Sequence, residues 1–435
     1  MVWILYNILF SFGFLVMLPR FLGRMMRRGG YARDFSQRLG RYSDAVLEKL
    51  EGGGRVWIHA VSVGEMFIAL RLMREWRERC PGTKFVVTTT TSTGHAVALK
   101  EVKDPDVVLY FPVDFPWISR RVLEAIDPKA LILVELELWP NLVRHAHARG
   151  IPVALVNGRV SDHSFDGYRK LTLFTRRVLP LLQILCVQTE ADGERLVALG
   201  ADPERVKVMG SAKYDVAARE DGGEARALQV LRDAGVQEGD PVLLGGSTWP
   251  GEEGMLLDAF KALRTSNPRL MLVLAPRHVE RARDVLKDIA DRGLSVARRT
   301  EIKASLPKRP AVLLVDTTGE LKNFYACADV IFVGKSLTQH GGQNVIEPAL
   351  YAKAIVVGPN MENFRGVVED FLAARALVQV NDQGHLRQAL GSLFKDAAAR
   401  QAMGTRAADL VREKAGALGK TLEALEAAAI LDARC

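Results

Sequence analysis

The sequence predicts an α/β protein made of two doubly wound parallel-sheet domains, preceded by an apolar N-terminal helix. The chain has 435 residues, too many for one ordinary core, which suggests two domains. Short β-branched runs alternate with amphipathic stretches, and such continuous apolar strands indicate parallel sheets covered by helices on both faces. The run from Val2 to Leu18 contains no charged residue.

The predicted strands divide equally between two halves of the chain. The first half has candidates at 56–60, 85–89, 107–111, 130–134, 153–156, 184–188 and 206–209. The second half has candidates at 242–245, 271–274, 295–298, 312–315, 330–333, 354–357 and 377–380. The predicted organisation is an anchor at 1–22, an N-terminal domain at 23–215, a charged linker at 216–240 and a C-terminal domain at 241–435. Ligands are expected at carboxyl ends of strands, where the two domains face a cleft.

The N-terminal apolar run is predicted to be a membrane anchor. A spanning helix needs about 20 apolar residues, so this run either crosses a bilayer or lies in its interface. Arginines follow it at positions 20, 24, 27, 28, 33, 38 and 41. The positive-inside rule therefore places the rest of the chain in the cytoplasm. A signal peptide is disfavoured because the charges follow the apolar run, and a buried helix remains the alternative.

The excess of positive charge favours a membrane over a nucleic acid as partner. The formal net charge is +8. No zinc-finger spacing, aromatic RNA-binding motif or repeat accompanies it, and basic residues concentrate near the apolar run. We therefore expect binding to a membrane surface with anionic lipids and no binding to nucleic acid.

A glycine-rich turn follows the predicted strand at 330–333. Its sequence, GGQNVIEP at 341–348, opens a predicted helix. Glycines let backbone N–H groups approach an anion, and a helix N-terminus adds a positive dipole end. Asn344 can bond a phosphate oxygen, and Glu347 can accept hydrogen bonds from two ribose hydroxyls. This pattern indicates a pocket for a nucleotide-sugar. The alternative is a glycine-rich turn in which Glu347 only caps the helix and binds no ligand.

Two carboxylate motifs follow strands of the first half. The spacing of Ser62 and Glu65 is that of a helix capping box, and it also suits a general base held ionised by a helix dipole. Glu135 and Glu137 end a very apolar strand and share one face of it. They could stabilise positive charge or bind hydroxyls, but they are not arranged to flank a glycosidic bond. The alternative is a purely structural one, in which neighbouring backbone groups or an arginine satisfy the two carboxylates.

Polar residues also follow three other strands of the second half. They are Gly246-Ser247-Thr248, Pro276-Arg277-His278 and Asp316-Thr317-Thr318-Gly319-Glu320. Arg277 suits a phosphate because guanidinium groups bind it bidentately. The D-x-D sequence at 104–106 precedes a strand instead of ending one, and neither a P-loop nor a dinucleotide fingerprint is present. We expect no metal and no cofactor.

Taken together, these motifs resemble those of the Kdo transferase family, GT-B-fold enzymes that move 3-deoxy-D-manno-oct-2-ulosonic acid (Kdo) from CMP-Kdo to a lipid A precursor. The resemblance covers nearly the whole chain. It includes the apolar N-terminus with its arginines and the segments 38–42, 59–65, 88–94, 135–141, 157–161, 188–190, 210–215, 246–248, 276–278, 318–320 and 341–348.

The resemblance implies a metal-independent, inverting transfer of Kdo from CMP-Kdo to lipid IVA in lipopolysaccharide biosynthesis. It makes Glu65 the general base, and Glu135 and Lys213 the pair that stabilises the transition state. It implies an acceptor-binding N-terminal domain, a CMP-sugar-binding C-terminal domain and a location at the cytoplasmic face of the bacterial inner membrane. The implied CMP contacts are Ser247, Pro276, Arg277, Thr318, Gly319, Glu320, Asn344, Val345, Ile346 and Glu347.

The chain departs from the family pattern at several positions. Gln343 stands where His is common, Val345 where Pro is common, and Lys335 where Gly is common. Ala212 and Tyr214 flank Lys213 in place of Leu and Phe. Two alternatives therefore stay open: a GT-B enzyme that uses a UDP-sugar, such as a lipid A disaccharide synthase, and a non-catalytic nucleotide-sugar-binding membrane protein. The motifs are shared by enzymes that add one, two or several Kdo residues.

Overall fold

The chain forms two compact units in a computed structural model, which describes residues 1–28, 34–217 and 222–431. Of the arginines that follow the apolar run, the side chains at 20, 24, 27 and 28 and all of Arg33 lie outside this description. The first unit contains Met1–Val216 and the described part of Ala415–Cys435, and the second contains Ala217–Lys414.

The first unit is built on a seven-stranded parallel sheet with the order β3-β2-β1-β4-β5-β6-β7. Its strands are β1 (Arg55–His59), β2 (Phe85–Thr89), β3 (Val107–Tyr110), β4 (Pro128–Val134), β5 (Val153–Gly158), β6 (Ile184–Val187) and β7 (Val206–Val208). Along β4, Leu131 and Leu133 pack into one buried cluster, and Ile132 and Val134 pack into another. This sheet therefore has a hydrophobic layer on each face.

Helices connect these strands and cover both faces of the sheet. They are α1 (Val2–Arg28), α2 (Asp44–Leu50), α3 (Val63–Arg79), α4 (Ser92–Glu101), α5 (Pro116–Ile126), α6 (Pro140–Ala148), α7 (Asp162–Lys170), α8 (Thr172–Val178), α9 (Glu190–Ala198) and α10 (Lys213–Val216).

The second unit repeats this architecture with the strand order β10-β11-β9-β8-β12-β13-β14, again all parallel. Its strands are β8 (Val242–Thr248), β9 (Met271–Pro276), β10 (Val296–Arg298), β11 (Val312–Leu314), β12 (Val330–Val333), β13 (Ala354–Val357) and β14 (Val378–Gln379). Its helices are α11 (Gly223–Asp233), α12 (Glu252–Arg264), α13 (Ala282–Asp291), α14 (Leu321–Tyr325), α15 (Ile346–Ala349), α16 (Arg365–Ala373), α17 (Gln383–Lys395) and α18 (Ala397–Lys414).

The predicted fold class is confirmed, since every predicted strand is present and both sheets are parallel and doubly wound. In each sheet the strand order reverses next to the first strand of the unit. This topological switch point lies between β1 and β4 in the first unit and between β8 and β12 in the second. Ligands of doubly wound sheets bind outside the carboxyl ends of the strands at such points.

Two predicted domain boundaries are wrong. The last helix, α19 (Ala417–Ala427), belongs to the first unit, because Leu418, Leu422 and Leu425 join the buried cluster around Met66. The predicted linker at 216–240 contains α11, which packs against α14 and so belongs to the second unit. Charge and glycine content marked this stretch as a linker, but Ala227, Val230 and Leu231 give α11 a buried apolar face.

The predicted anchor forms α1. Within the part of the chain that the structure describes, it is the helix long and apolar enough to cross a membrane, over Val2–Pro19. Arg38 is an exception to the expectation that the basic residues near the apolar run bind anionic lipids. Its side chain is buried, it donates to the Thr90 carbonyl at 2.7 Å, and its guanidinium lies 4.3 Å from the centre of the Tyr110 ring.

Candidate active site

Glu65 lies at the switch point of the first unit, at the start of the helix that follows β1. The predicted capping box is present, because the Glu65 N–H donates to Ser62 Oγ and the Ser62 N–H donates to Glu65 Oε1. Ser62 Oγ donates to Oε1 at 2.7 Å, and the Val61 N–H donates to Oε2 at 2.8 Å. These bonds fix the carboxylate beside the positive end of α3, where its negative charge is stabilised.

Glu135 and Glu137 follow β4 on the other side of this switch point. Glu135 has a φ of 58°, and its N–H donates to the Val156 carbonyl of β5 at 2.9 Å. A left-handed conformation in a residue with a side chain costs about 1–2 kcal/mol, and such strain clusters at functional sites. The sheet therefore holds Glu135 in an unfavourable backbone conformation that sets where its carboxylate lies.

Lys213 is held in place from the neighbouring strand. Asn157 at the end of β5 has a φ of 54°, and its Oδ1 accepts the Ala212 N–H at 3.0 Å. Since Ala212 directly precedes Lys213, this bond fixes the start of α10. Asn157 Nδ2 and Ser211 Oγ are buried and have no hydrogen-bond partner among the described residues. Buried polar groups are nearly always paired, so these two atoms are suited to receiving a ligand.

The charged groups of this site act on one another. Burial raises the pKa of the Glu135 carboxyl, while the positive charge of Lys213 lowers that pKa. Burial likewise lowers the pKa of the Lys213 ammonium, which Glu135 raises. Burial, followed by the negative charges of Glu65 and Glu135, raises the pKa of the Glu137 carboxyl to about 7. The structure therefore brings Glu65, Glu135, Glu137 and Lys213 within electrostatic reach of each other.

This arrangement predicts a pH-dependent gain of stability in the Glu137→Gln variant. From its usual value of 4.5 up to about 7, the Glu137 carboxyl ionises in the unfolded chain but not in the folded one. Stability of the wild type therefore falls as the pH rises through this window, and glutamine removes that loss. We expect Glu137→Gln to be about 1–2 kcal/mol more stable than wild type at pH 8 and equal to it at pH 4.5, after allowance for partial solvent access. Urea unfolding at both pH values measures this difference.

The control for this prediction is Glu101→Gln, which changes an exposed carboxyl at the end of α4. It should leave the pH dependence of unfolding unchanged. Equal stability of wild type and Glu137→Gln at both pH values would contradict a Glu137 carboxyl that resists ionisation in the folded protein.

The predicted nucleotide contacts lie at the carboxyl ends of four adjacent strands of the second unit. Ser247 lies at the carboxyl end of strand β8. Pro276 ends β9, and Arg277 directly follows it. The segment 318–320 follows β11, and 344–347 follows β12. Because β11, β9, β8 and β12 are neighbours and parallel, these residues share one edge of the sheet. Beside Ser247, Thr248 Oγ1 and Trp249 Nε1 are buried without a hydrogen-bond partner in the described residues.

The glycine-rich turn is present, but the helix it opens has a single turn, α15. A helix this short has little dipole, so the predicted dipole contribution to anion binding is wrong. Gly341 and Gly342 have φ of 111° and 70°, and a Cβ on Gly342 would lie 2.4 Å from Met361 Sδ. Asn344 Oδ1 accepts the Ile346 N–H at 2.9 Å. The turn is thus a fixed loop, closed by glycine geometry and by the side-chain hydrogen bond of Asn344.

Two carboxylates of the predicted set are already paired. Glu347 Oε1 lies 3.3 Å from Lys322 Nζ, with a quarter of its side chain exposed. Glu320 pairs with the Arg299 guanidinium at 3.1 Å and accepts a hydrogen bond from Thr317 Oγ1. The side chains of Val345 and Ile346 are fully buried, so these residues can reach a ligand only through their main chain. Arg277 and Thr318 are exposed at the edge of the sheet.

Sequence reasoning missed Glu252, which holds the loop after β12. It is fully buried, and its carboxylate accepts N–H groups from Trp249, Lys335, Ser336 and Leu337 at 2.8–2.9 Å. Lys335 also departs from the family pattern, and its φ of 57° explains why glycine is common there. The adjacent pair Glu252-Glu253 in the first turn of a helix was the available sequence signal.

The described residues include no group of three or more His, Cys, Asp or Glu side chains arranged to hold a metal ion. The D-x-D sequence before β3 has a structural explanation, since Asp106 is buried, pairs with Arg77 and accepts the Phe85 N–H at 2.8 Å.

Two doubly wound parallel-sheet units, each with polar residues at its switch point, define a protein of the GT-B fold class. A solved structure of UDP-GlcNAc 2-epimerase from Neisseria meningitidis, bound to UDP-GlcNAc, is similar with a TM-score of 0.56 and 14% identity. The match covers 85% of this chain and 99% of that one. At this identity the similarity shows the fold alone.

Sequence comparison then identifies the family. Residues 33–216 match the family model of 3-deoxy-D-manno-octulosonic-acid transferase (kdotransferase). The chain is 36% identical to the transferase of that name from Bordetella pertussis, over 85% of this chain and 86% of the relative. It is 30% identical to that from Haemophilus influenzae, over 91% of both chains. The chain belongs to the Kdo transferase family, and it is a glycosyltransferase of lipopolysaccharide biosynthesis.

Proposed function

We propose that this protein transfers Kdo from CMP-Kdo to lipid IVA with inversion and without a metal ion. The observation that carries the proposal is the group formed by Glu65, Glu135 and Lys213 at the switch point of the first unit. It combines a carboxylate held at a helix N-terminus with a partly buried, mutually interacting carboxylate and ammonium.

Glu65 is the proposed general base. It removes the proton from a glucosamine 6-hydroxyl of the acceptor as that oxygen attacks the anomeric carbon of Kdo. Glu65 Oε2 accepts one described hydrogen bond, from the Val61 N–H, and a carboxylate oxygen has two lone pairs. Glu65 can therefore serve both as a capping residue and as a general base, because the hydrogen bonds that fix its side chain leave Oε2 able to accept a proton.

Glu135 and Lys213 are proposed to balance charge as the bond to CMP breaks. Positive charge develops at the anomeric carbon in a transition state that resembles an oxocarbenium ion, and Glu135 stabilises it. Lys213 balances the carboxylate of Kdo or the departing phosphate. Partial burial strengthens both effects, because charges interact more strongly where less water surrounds them.

CMP is proposed to bind the carboxyl-end edge of the second sheet, through the ten residues named above from Ser247 to Glu347. Arg277 is exposed and suits the phosphate, and the carboxylate of Glu347 suits the ribose hydroxyls. CMP departs as a phosphate monoester, which needs less charge neutralisation than a diphosphate. Arg277 supplies positive charge to this phosphate from the protein itself, which supports a reaction without a metal ion.

The protein is proposed to act at the cytoplasmic face of the bacterial inner membrane, where its acceptor has a lipid anchor. Support comes from α1, whose first 18 residues contain no charge, and from the arginines that follow them. Anionic lipids of that surface are the expected partners of these arginines, with the exception of the buried Arg38.

A nucleotide-binding measurement tests the proposed donor site. We expect Glu347→Ala to weaken CMP binding at least about tenfold, because hydrogen bonds to a charged group contribute about 1.5–3 kcal/mol. Isothermal titration with CMP measures the change, and Glu369→Ala, an exposed carboxylate on α16, is the matched control. Unchanged CMP affinity in Glu347→Ala, or tighter binding of UDP than of CMP by wild type, would contradict the proposed site.

A further inference from the structure

The N-terminal helix is fastened to the first unit by polar groups as well as by apolar packing. Tyr6 Oη donates to Asp114 Oδ2 at 2.8 Å, and Asn141 Nδ2 donates to Asn7 Oδ1 at 2.8 Å. Asp114 is 1% exposed and also accepts the N–H groups of Asn141 and Leu142. Because Asp114 itself caps the start of α6, these contacts tie α1 to a fixed point of the unit.

Aromatic contacts extend this attachment along α1. Phe10 and Phe14 each meet the Phe115 ring edge-on, with ring centroids 5.3 Å apart. Tyr6 meets Phe174 of α8 at 5.8 Å, and Trp3 lies under the Arg144 guanidinium at 4.9 Å. The attached stretch, residues 3–14, is about 17 Å long at 1.5 Å per residue. It makes up most of the apolar segment.

The opposite side of α1 carries large aliphatic and aromatic side chains in contact with solvent. Ile4 is 66% exposed, Phe12 69% and Leu15 64%. The whole exposed set is Met1, Ile4, Leu5, Ile8, Leu9, Phe12, Leu15, Val16 and Met17. The attached and exposed residues alternate with the period of a helix, so α1 has one protein-facing side and one apolar side without a protein partner among the described residues.

Exposed apolar residues also occur on two elements that contact α1. Trp117 is 59% exposed and stacks on Phe115, which contacts α1. Leu171 and Leu173 are 47% and 53% exposed, and they lie beside Phe174, which also contacts α1. We call the exposed side of α1 together with Trp117, Leu171 and Leu173 the membrane-facing surface.

Basic side chains accompany the membrane-facing surface. The segment YRKLTLFTRR at 168–177 places Leu171 and Leu173 between two basic pairs. The exposed basic residues here and on α5 are Arg120, Arg121, Arg169, Lys170, Arg176 and Arg177. Exposed leucines between arginines and lysines are typical of a surface that inserts apolar side chains among anionic head groups.

We propose that α1 lies in the plane of an anionic lipid bilayer and does not cross it. The bilayer covers the membrane-facing surface, while Tyr6 and Asn7 keep α1 on the first unit. A spanning α1 would have to break both polar contacts, or carry Asp114 and Arg144 into the hydrocarbon region at large cost. The inference rests on the membrane location in the proposed function, and it specifies how the helix meets that membrane.

Vesicle binding tests the extent of the surface. The full-length protein is mixed with vesicles of phosphatidylethanolamine and phosphatidylglycerol, and the bound fraction is measured by flotation. We expect the double variant Leu171→Glu/Leu173→Glu to bind at least fivefold more weakly than wild type. Leu99→Glu, which changes an equally exposed leucine on α4, should bind as wild type does. Equal binding of all three proteins would overturn the membrane-facing surface.

Cysteine labelling tests the orientation of α1. A cysteine in a short polar tag before Met1 is exposed to a membrane-impermeant maleimide in intact and in lysed spheroplasts. An in-plane helix leaves the tag on the cytoplasmic side, so labelling should require lysis. Labelling of intact spheroplasts would show a spanning helix and overturn the proposal. Neither experiment uses turnover, so a failure here is distinguishable from a failure of the proposed transfer reaction.

Discussion

Replacing Glu65 by glutamine is expected to lower the rate of Kdo transfer at least about a hundredfold, the scale of general-base effects. Glutamine keeps the size of the side chain and can also serve as the third residue of a capping box, so α3 should keep its N-terminus. It cannot accept a proton at neutral pH. Turnover and thermal unfolding are measured on the same preparation. Together they distinguish the loss of a general base, which lowers turnover, from the loss of the helix cap, which lowers the melting temperature.

Two comparisons make this test specific. Glu75→Gln changes a carboxylate of the same helix that pairs with Arg71 at 2.7 Å, and it should leave turnover unchanged. Glu65→Ala removes both cap and base, so it should lose turnover and also melt at a lower temperature. If Glu65→Gln keeps more than a tenth of the wild-type rate, Glu65 is a helix cap and some other group is the base.

Replacing Lys213 by methionine is expected to lower turnover by about a hundredfold or more, which is typical when one charge-stabilising group of an active site is removed. Methionine retains much of the length of the side chain without its charge. The loss also removes the positive charge that most lowers the pKa of the half-buried Glu135 carboxyl, which favours the neutral form of that carboxyl. Steady-state rates with saturating donor measure the effect.

Lys207→Met, at an exposed lysine of β7, is the matched control and should be active. The double variant Glu135→Gln/Lys213→Met adds a further comparison. If the two residues act as a pair, the double variant should lose little more than either single variant. Fully additive losses would contradict a paired function and indicate two independent contributions.

The two-sheet architecture was predictable because its signals are local. Each buried parallel strand is a short apolar run, and every such run identified in the sequence is a strand of the structure. The strand-end motifs were predictable for the same reason, since parallel strands bring their carboxyl ends to one edge. The grouping of Glu65 with Glu135 follows from a strand order that places β1 beside β4.

Features that depend on tertiary contacts were not predictable. Nothing in the local sequence shows that Leu418 and Leu422 pack in the first unit, because an amphipathic helix does not specify its partner. The single-turn length of α15 was not predictable either, since the apolar residues after Asn344 fit a longer helix equally well. Glu252 was missed because four backbone N–H groups from two separate loops converge on it only in the folded chain.

The most direct test of the central claim is a turnover assay with CMP-Kdo generated in situ and lipid IVA as acceptor. Products are resolved by mass spectrometry, and a parallel reaction contains EDTA. We predict products heavier than lipid IVA by one or more Kdo residues, in equal amount with and without EDTA. Absence of any such product from folded, membrane-reconstituted protein would contradict the assignment of donor and acceptor, and a loss of product in EDTA would contradict the metal-independent reaction.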